Sequence, residues 1–236
     1  MKHLLTLSLL LIANSLFAAN VRVAHLSPDA PAVDVLVGTD DVTKSAVLTN
    51  VSFPAVSDYL SVADGNYFID VAATGTTAPV IDVNDVALAG DLTIAAVNNL
   101  ADIEPIVLID DRVTSPGKAK LRAVHASPNA PAVDIFVDGA GLLPALTNLA
   151  FKDATGYLEL DPGAYTLRIR ATGSTDDVFV VEDLALSADT NYSAFAIGEL
   201  GSSFSVLPAV DAVPEPSSLS LSLVGICAFG LLRRKR

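Results

Sequence analysis

The chain states nearly the same message twice, and this limits its fold more than any other feature. Val21-Arg22-Val23-Ala24-His25-Leu26-Ser27-Pro28-Asp29-Ala30-Pro31-Ala32-Val33-Asp34 returns 100 residues later as Leu121-Arg122-Ala123-Val124-His125-Ala126-Ser127-Pro128-Asn129-Ala130-Pro131-Ala132-Val133-Asp134. Shorter strings recur in the same order. Leu48-Thr49-Asn50 returns as Leu146-Thr147-Asn148, Tyr59-Leu60 as Tyr157-Leu158, Gly65-Asn66-Tyr67 as Gly163-Ala164-Tyr165, and Ala73-Thr74-Gly75 as Ala171-Thr172-Gly173. A unit of about 95 residues is large enough to bury its own core. The period is too long for a solenoid.

Inside each unit the pattern predicts strands. Val33, Val35 and Val37 alternate with Asp34 and Leu36, and Tyr165, Leu167 and Ile169 alternate with Thr166, Arg168 and Arg170. Such period-two runs suit half-buried strands. Ser27-Pro28-Asp29, Asp64-Gly65-Asn66, Asp138-Gly139 and Asp161-Pro162-Gly163 punctuate them as turns. Short strands at this spacing predict β-sandwiches. Asp64-Gly65-Asn66-Tyr67 and Asp161-Pro162-Gly163-Ala164-Tyr165 look like turns leading into a tyrosine-corner strand. The expected fold is all-β: two tandem immunoglobulin-like antiparallel β-sandwich domains, with a signal helix before them and a hydrophobic helix after them. The short connector Thr114-Ser115-Pro116-Gly117 suggests domains set end to end.

Both termini read as export signals. Lys2 and His3 precede an apolar stretch, Leu4 to Ala13, and small residues follow at Ala18 and Ala19. That is a secretory signal peptide, cut after Ala18 or Ala19. At the other end, Val213-Pro214-Glu215-Pro216 precedes an apolar run of 14 residues, Leu219 to Leu232, and then Arg233-Arg234-Lys235-Arg236. A membrane helix needs about 20 residues, so this anchor is marginal. The basic cluster keeps to the cytoplasmic side. The three-part tail resembles the PEP-CTERM sorting signal of Gram-negative bacteria, which exosortase reads. A permanent C-terminal membrane helix is the plainer alternative. The expected layout is signal peptide 1–19, first repeat 20–112, linker 113–118, second repeat 119–211 and sorting segment 212–236.

Between Asn20 and Pro216, nine basic residues face 27 acidic ones, a net charge of −18. This argues against nucleic acid or anionic lipid as a partner and for solubility, divalent cations or basic partners. Cys227, the one cysteine, lies in the tail. Stability therefore rests on burial, without disulfides.

The His-x-Ser-Pro-Asp/Asn-Ala-Pro-x-Val-Asp string is similar to the signature of a family of secreted bacterial and archaeal domains of unknown function, often in tandem. The resemblance covers nearly the full length of both repeats and implies an immunoglobulin-like fold without assigned catalytic residues. Exosortase systems accompany exopolysaccharide production. The tail thus implies passage through the Sec pathway and signal peptidase, a transient inner-membrane intermediate, and then the cell surface or matrix. Exopolysaccharide and surface proteins are the expected partners there.

The signature residues His25, Ser27, Pro28, Asp29 and Asp34, with His125, Ser127, Pro128, Asn129 and Asp134, allow two readings. As chemistry, a histidine could serve a serine nucleophile or a metal. As structure, an imidazole nitrogen bonds the turn backbone or Asp34, Pro28 fixes a turn, and Pro31 stops a ladder. The structural reading is the stronger, since each repeat has one histidine and no cysteine. Asn129 in place of Asp29 also argues against a strict carboxylate role. Asp110 and Asp111, just before the linker, are the best-placed pair for an interdomain calcium ion, against a plainer reading as solvated loop acids. No cofactor is expected otherwise. The expected role is that of a non-enzymatic surface or matrix protein, with a carbohydrate-binding module or a calcium-dependent adhesin as alternatives. Exposed Tyr157 or Tyr192 would favour sugar binding.

Overall fold

This computed structural model describes residues 18–138, 141–142 and 146–213. Repeat 1 contributes β1 (Ala18–His25), β2 (Val33–Gly38), β3 (Ser45–Val51), β4 (Ala55–Val56), β5 (Leu60–Ala63), β6 (Gly65–Ala73), β7 (Pro79–Leu88), β8 (Asp91–Val97) and β9 (Glu104–Ile109). Repeat 2 follows with β10 (Ala119–His125), β11 (Val133–Val137), β12 (Gly141–Leu142), β13 (Leu158–Leu160), β14 (Gly163–Ala171), β15 (Asp177–Leu186), β16 (Thr190–Ile197) and β17 (Ser205–Ala212). A 3-10 turn, Leu100–Asp102, separates β8 from β9.

Each repeat is a sandwich of two sheets. In repeat 1 the order β3-β2-β6-β7 faces β4-β1-β8-β9, with β5 also paired to β1. In repeat 2 the order β12-β11-β14-β15 faces β13-β10-β16-β17. The chain is all-β, as the alternation and turn spacing predict. Within each sandwich, Val33, Val35, Ile69 and Val71 pack with Val21 and Leu92, and Val133, Ile135, Leu167 and Ile169 pack with Leu121 and Ala194. The tyrosine corners form: Tyr67 donates to the carbonyl of Ala63 at 2.9 Å, and Tyr165 to that of Asp161 at 2.7 Å.

Two expectations need correction. The sheets are not purely antiparallel, because β1 pairs β8 in parallel and β10 pairs β16 in parallel. Parallel neighbours require a long connection, and here most of a repeat lies between them. Such pairs are usually buried on both faces and read as continuous apolar runs. Leu92-Thr93-Ile94-Ala95-Ala96-Val97 is such a run, broken only by Thr93.

Nor do the repeats sit end to end. On β1, Val21 faces the sandwich interior, while Ala24 and the following Leu26 face outward; on β16, Ala194 faces inward, and Phe195 and Ile197 outward. The outward sets form one apolar layer drawn from both repeats: Ala24, Leu26, Ala95, Val97 and Leu108 with Val124, Ala126, Phe195 and Ile197. The sandwiches therefore stack face to face, four sheets deep, because the outer faces of the two central sheets are themselves hydrophobic.

Candidate functional site

The signature loop folds around its histidine. His25 is fully buried at the end of β1, with Nε2 at 3.1 Å from the carbonyl of Pro31; His125 repeats this at 3.0 Å from Pro131. The carbonyl can only accept, so Nε2 carries the proton. In repeat 2 the Ser127 N–H points at His125 Nδ1 (3.4 Å), and the Ser127 hydroxyl donates to the carbonyl of Gly198 at 2.6 Å. Burial lowers both histidine pKa values, opposed by the proline carbonyl bonds. In repeat 1, His25 Nδ1 and the Ser27 hydroxyl are buried without a partner among the described residues.

Asp29 accepts the Leu100 N–H at 2.6 Å, and Asn129 accepts the Leu200 N–H at 2.7 Å. Both residues thus dock the signature loop onto the loop that follows the central parallel strand. An amide oxygen serves as well as a carboxylate there, and Asn129 also donates to the Leu200 carbonyl.

Asp34 is not joined to His25. Its carboxylate accepts from the Asn50 N–H at 2.8 Å, the Thr74 hydroxyl at 2.9 Å and the Gly75 N–H at 3.3 Å. Asp134 does the same for Asn148, Thr172 and Gly173. These bonds hold both carboxyls below their ordinary pKa, the asparagine N–H bond being the largest cause. Asn50 (φ 56°) and Gly75 (φ 80°) are left-handed, which asparagine and glycine tolerate best. The Leu-Thr-Asn and Ala-Thr-Gly strings thus recur because both close onto the signature aspartate. Serine, histidine and aspartate are not assembled as a catalytic triad.

A second site was not legible as a unit. Arg22 is buried on the outer face of β1. It donates through Nε to Thr93 Oγ1 (2.8 Å), through Nη1 to the Val210 carbonyl (3.0 Å), and through Nη2 to Asp211 of repeat 2. Asp211 also accepts from the hydroxyls of Tyr157 and Ser193, each at 2.6 Å. The mirror arrangement runs the other way. Arg122 donates to Ser193 Oγ (2.6 Å), to the Ile109 carbonyl (2.8 Å) and to Asp110 of repeat 1, whose other oxygen accepts from Tyr59 and Thr93 at 2.6 Å each. Both carboxylates are wholly excluded from solvent. Arg22 lies 4.8 Å over the Tyr59 ring, and Arg122 lies 5.0 Å over that of Tyr157. Burial, reinforced by the neighbouring carboxylates, pushes both tyrosine hydroxyls well above their ordinary pKa, so they stay protonated as donors. Each repeat's last strand thus supplies the counter-charge for the other repeat's first. The one forward signal was an arginine at the same place in both apolar first strands.

This geometry overturns the calcium reading of Asp110 and Asp111. The oxygens of Asp110 are engaged by Arg122, Tyr59 and Thr93, while Asp111 pairs with Lys120 at 2.8 Å and accepts the Val113 N–H. Among the described residues no group of three or more His, Cys, Asp or Glu side chains is placed to hold a metal. The interior voids of the sandwiches, about 60 Å³ and about 30 Å³, are lined mainly by aliphatic side chains. No described tyrosine or phenylalanine is exposed. Tyr157 is held in the lock, and Tyr192 packs on the core and accepts the Ser187 N–H. Exposed stacking platforms for sugar are therefore missing among the described residues.

Val213 is exposed just past β17. Pro214, Glu215, Pro216 and Arg233, Arg234, Lys235 and Arg236 lie outside the described residues, as do residues 1–17. Among the described residues no helix is long and apolar enough to cross a membrane.

Fold and site together define a tandem β-sandwich protein whose repeats are joined by a reciprocal buried ion-pair lock. The family described as a domain of unknown function (DUF4397) matches residues 19–136 and 119–224, and the chain belongs to it. No curated protein matches. Among solved structures, the chain is similar to the Bacillus anthracis TIE protein (12% identity, TM-score 0.25), covering 78% of this chain and 34% of that one. It is also similar to CBMbc, a family CBM26 module of Eubacterium rectale Amy13K solved with maltoheptaose (9% identity, TM-score 0.26), covering 84% and 99%. At these scores neither likeness carries an argument.

Proposed function

We propose that this chain is an exported, exosortase-sorted protein of a Gram-negative cell surface or extracellular matrix, with a structural or adhesive rather than an enzymatic role. The lock carries this reading. The polar groups free elsewhere to serve chemistry (two arginines, two aspartates, two tyrosines) are spent here on holding two sandwiches as one body. The signature histidines and aspartates are likewise spent on loops. The tail supports sorting at the inner membrane, and the charge of −18 suits an extracellular, soluble surface.

The test is co-sedimentation of the folded protein with the producer's own exopolysaccharide, with and without EDTA. Saturable binding indifferent to EDTA supports a matrix role. Binding lost with EDTA would restore a calcium-dependent adhesin, through a site other than Asp110. No binding removes the polysaccharide and leaves a surface-protein partner. Sorting is tested separately by replacing Pro214-Glu215-Pro216 with alanines and measuring the C-terminal mass of the surface-exposed protein. A tail removed as in the parent would sink the sorting reading.

A further inference from the structure

We propose that the face locking the two repeats together is also the surface by which copies of this chain join, repeat 1 of one copy docking on repeat 2 of another. This extends the structural role proposed above to the way such a protein would assemble.

The lock is built from strands and the residues directly following them. Arg22, Thr93 and Asp110 face Arg122, Ser193 and Asp211, and the apolar layer comes from β1, β8, β9, β10 and β16 with their flanks. The connector adds its own ties, such as Asn191 Nδ2 to the carbonyls of Asp111 and Val113, but supplies no part of either Arg–Asp pair. The fit therefore does not depend on the covalent link.

The two faces are unlike at equivalent places. Repeat 1 has Ala95 where repeat 2 has Phe195, Leu26 where it has Ala126, and Ala24 where it has Val124. Two like faces would crowd bulk against bulk or leave voids, and both are unfavourable. The preferred partner is the unlike face, present in the same chain and in every other copy. An opened chain bares an apolar sheet face and an unpaired arginine and aspartate on each repeat, and the matching repeat satisfies both. Because the two faces differ, contacts between copies are heterologous: two copies close as an exchanged pair, and more run head to tail.

The test uses the full chain with a protease site replacing Thr114–Gly117, cut after folding. One cut preparation carries an affinity tag on repeat 1, the other an isotope label. The two are mixed equally in urea, refolded together and captured by the tag. The expected result is that about half of the repeat 2 recovered is labelled, and that Arg22→Glu in the tagged repeat lowers recovery by about tenfold or more. Recovery of repeat 1 alone overturns the proposal. A second arm keeps the chain uncut and replaces Arg112–Gly117 with about ten prolines, a stiff rod of about 31 Å. Light scattering should then show at least twice the mass of one chain, rising with concentration. A mass that stays at one chain overturns the proposal. Neither arm involves polysaccharide or the tail, so failure here and failure of the matrix reading are separate results.

Discussion

A buried imidazole that gives one nitrogen to a proline carbonyl and turns the other toward an N–H has no place for a second proton. That is the position of His125, and His25 differs only in lacking the serine contact. Burial lowers both pKa values below 6.5. The sign follows from linkage: the unfolded chain takes up protons before the folded one, so the contribution is intact above pH 6.5 and is lost as pH falls through the folded values. Urea melts should show stability flat from pH 8 to 7 and declining below about 6.5; a profile that rises there would contradict the buried neutral state. His25→Ala with His125→Ala should lower both the melting temperature and the unfolding free energy, the latter by about 1–3 kcal/mol per site for the orphaned carbonyl and the space left. An unchanged melt with lost ligand binding would instead assign the histidines to a site. Asp29→Asn should be almost silent, within about 0.5 kcal/mol. Asp29→Ala should cost about 0.5–1.5 kcal/mol for the lost bond to Leu100. A large effect from Asp29→Asn would mean that the charge itself matters.

At the scale of elements, what was legible was what repeats with period two. Tyr165, Leu167 and Ile169 announced β14 because its other face carries Arg168 and Arg170 in water, and the tyrosine corners followed from the turns before them. Tyr67→Phe and Tyr165→Phe should each cost about 0.5–1.5 kcal/mol in chemical denaturation; no cost would mean that the corner bond is not formed in solution. The central strands were less legible. When both faces are buried, alternation disappears, and Asn20-Val21-Arg22-Val23-Ala24 gives no sign of which neighbour it pairs with or in which direction. The edge strands carry their own safeguards. The exposed β9 and β17 contain Pro105 and Pro208, and the carbonyls of Ile109 and Val210 are taken by the other repeat's arginine. Both devices blunt an edge that would otherwise recruit strands.

At the scale of the molecule, a buried ion pair is weak evidence of net stability, yet removing one partner of it is costly. Asp110→Ala should cost about 3–5 kcal/mol, because Arg122 stays buried without its counter-charge. Arg122→Met with Asp110→Leu should recover most of that loss. Calorimetry on Arg122→Met, Asp110→Leu and the double variant decides, and a double loss equal to the sum of the two single losses would show that the pair is not coupled. None of this pairing was legible beforehand. Arg22 and Arg122 were visible as charges in apolar strands, but their partners lie in the opposite repeat, and sequence distance hides such reciprocity. The acidic pair before the linker stands out in the sequence as solvated acids or a calcium site, and the guanidinium from the other domain that Asp110 meets gives no local sign of itself.

The carboxylate that Arg22 needs lies 189 residues further along the chain. Contacts of that span form late. During synthesis the first sandwich therefore carries a bare cation in its outer sheet until Asp211, in the last strand, has been made. A chain broken anywhere before Asp211 can build its first sandwich but cannot neutralise it. The fold thus reads its own length: the lock closes only in a chain that runs through Asp211, and a product stopped before it should be cut faster in limited proteolysis than the full chain.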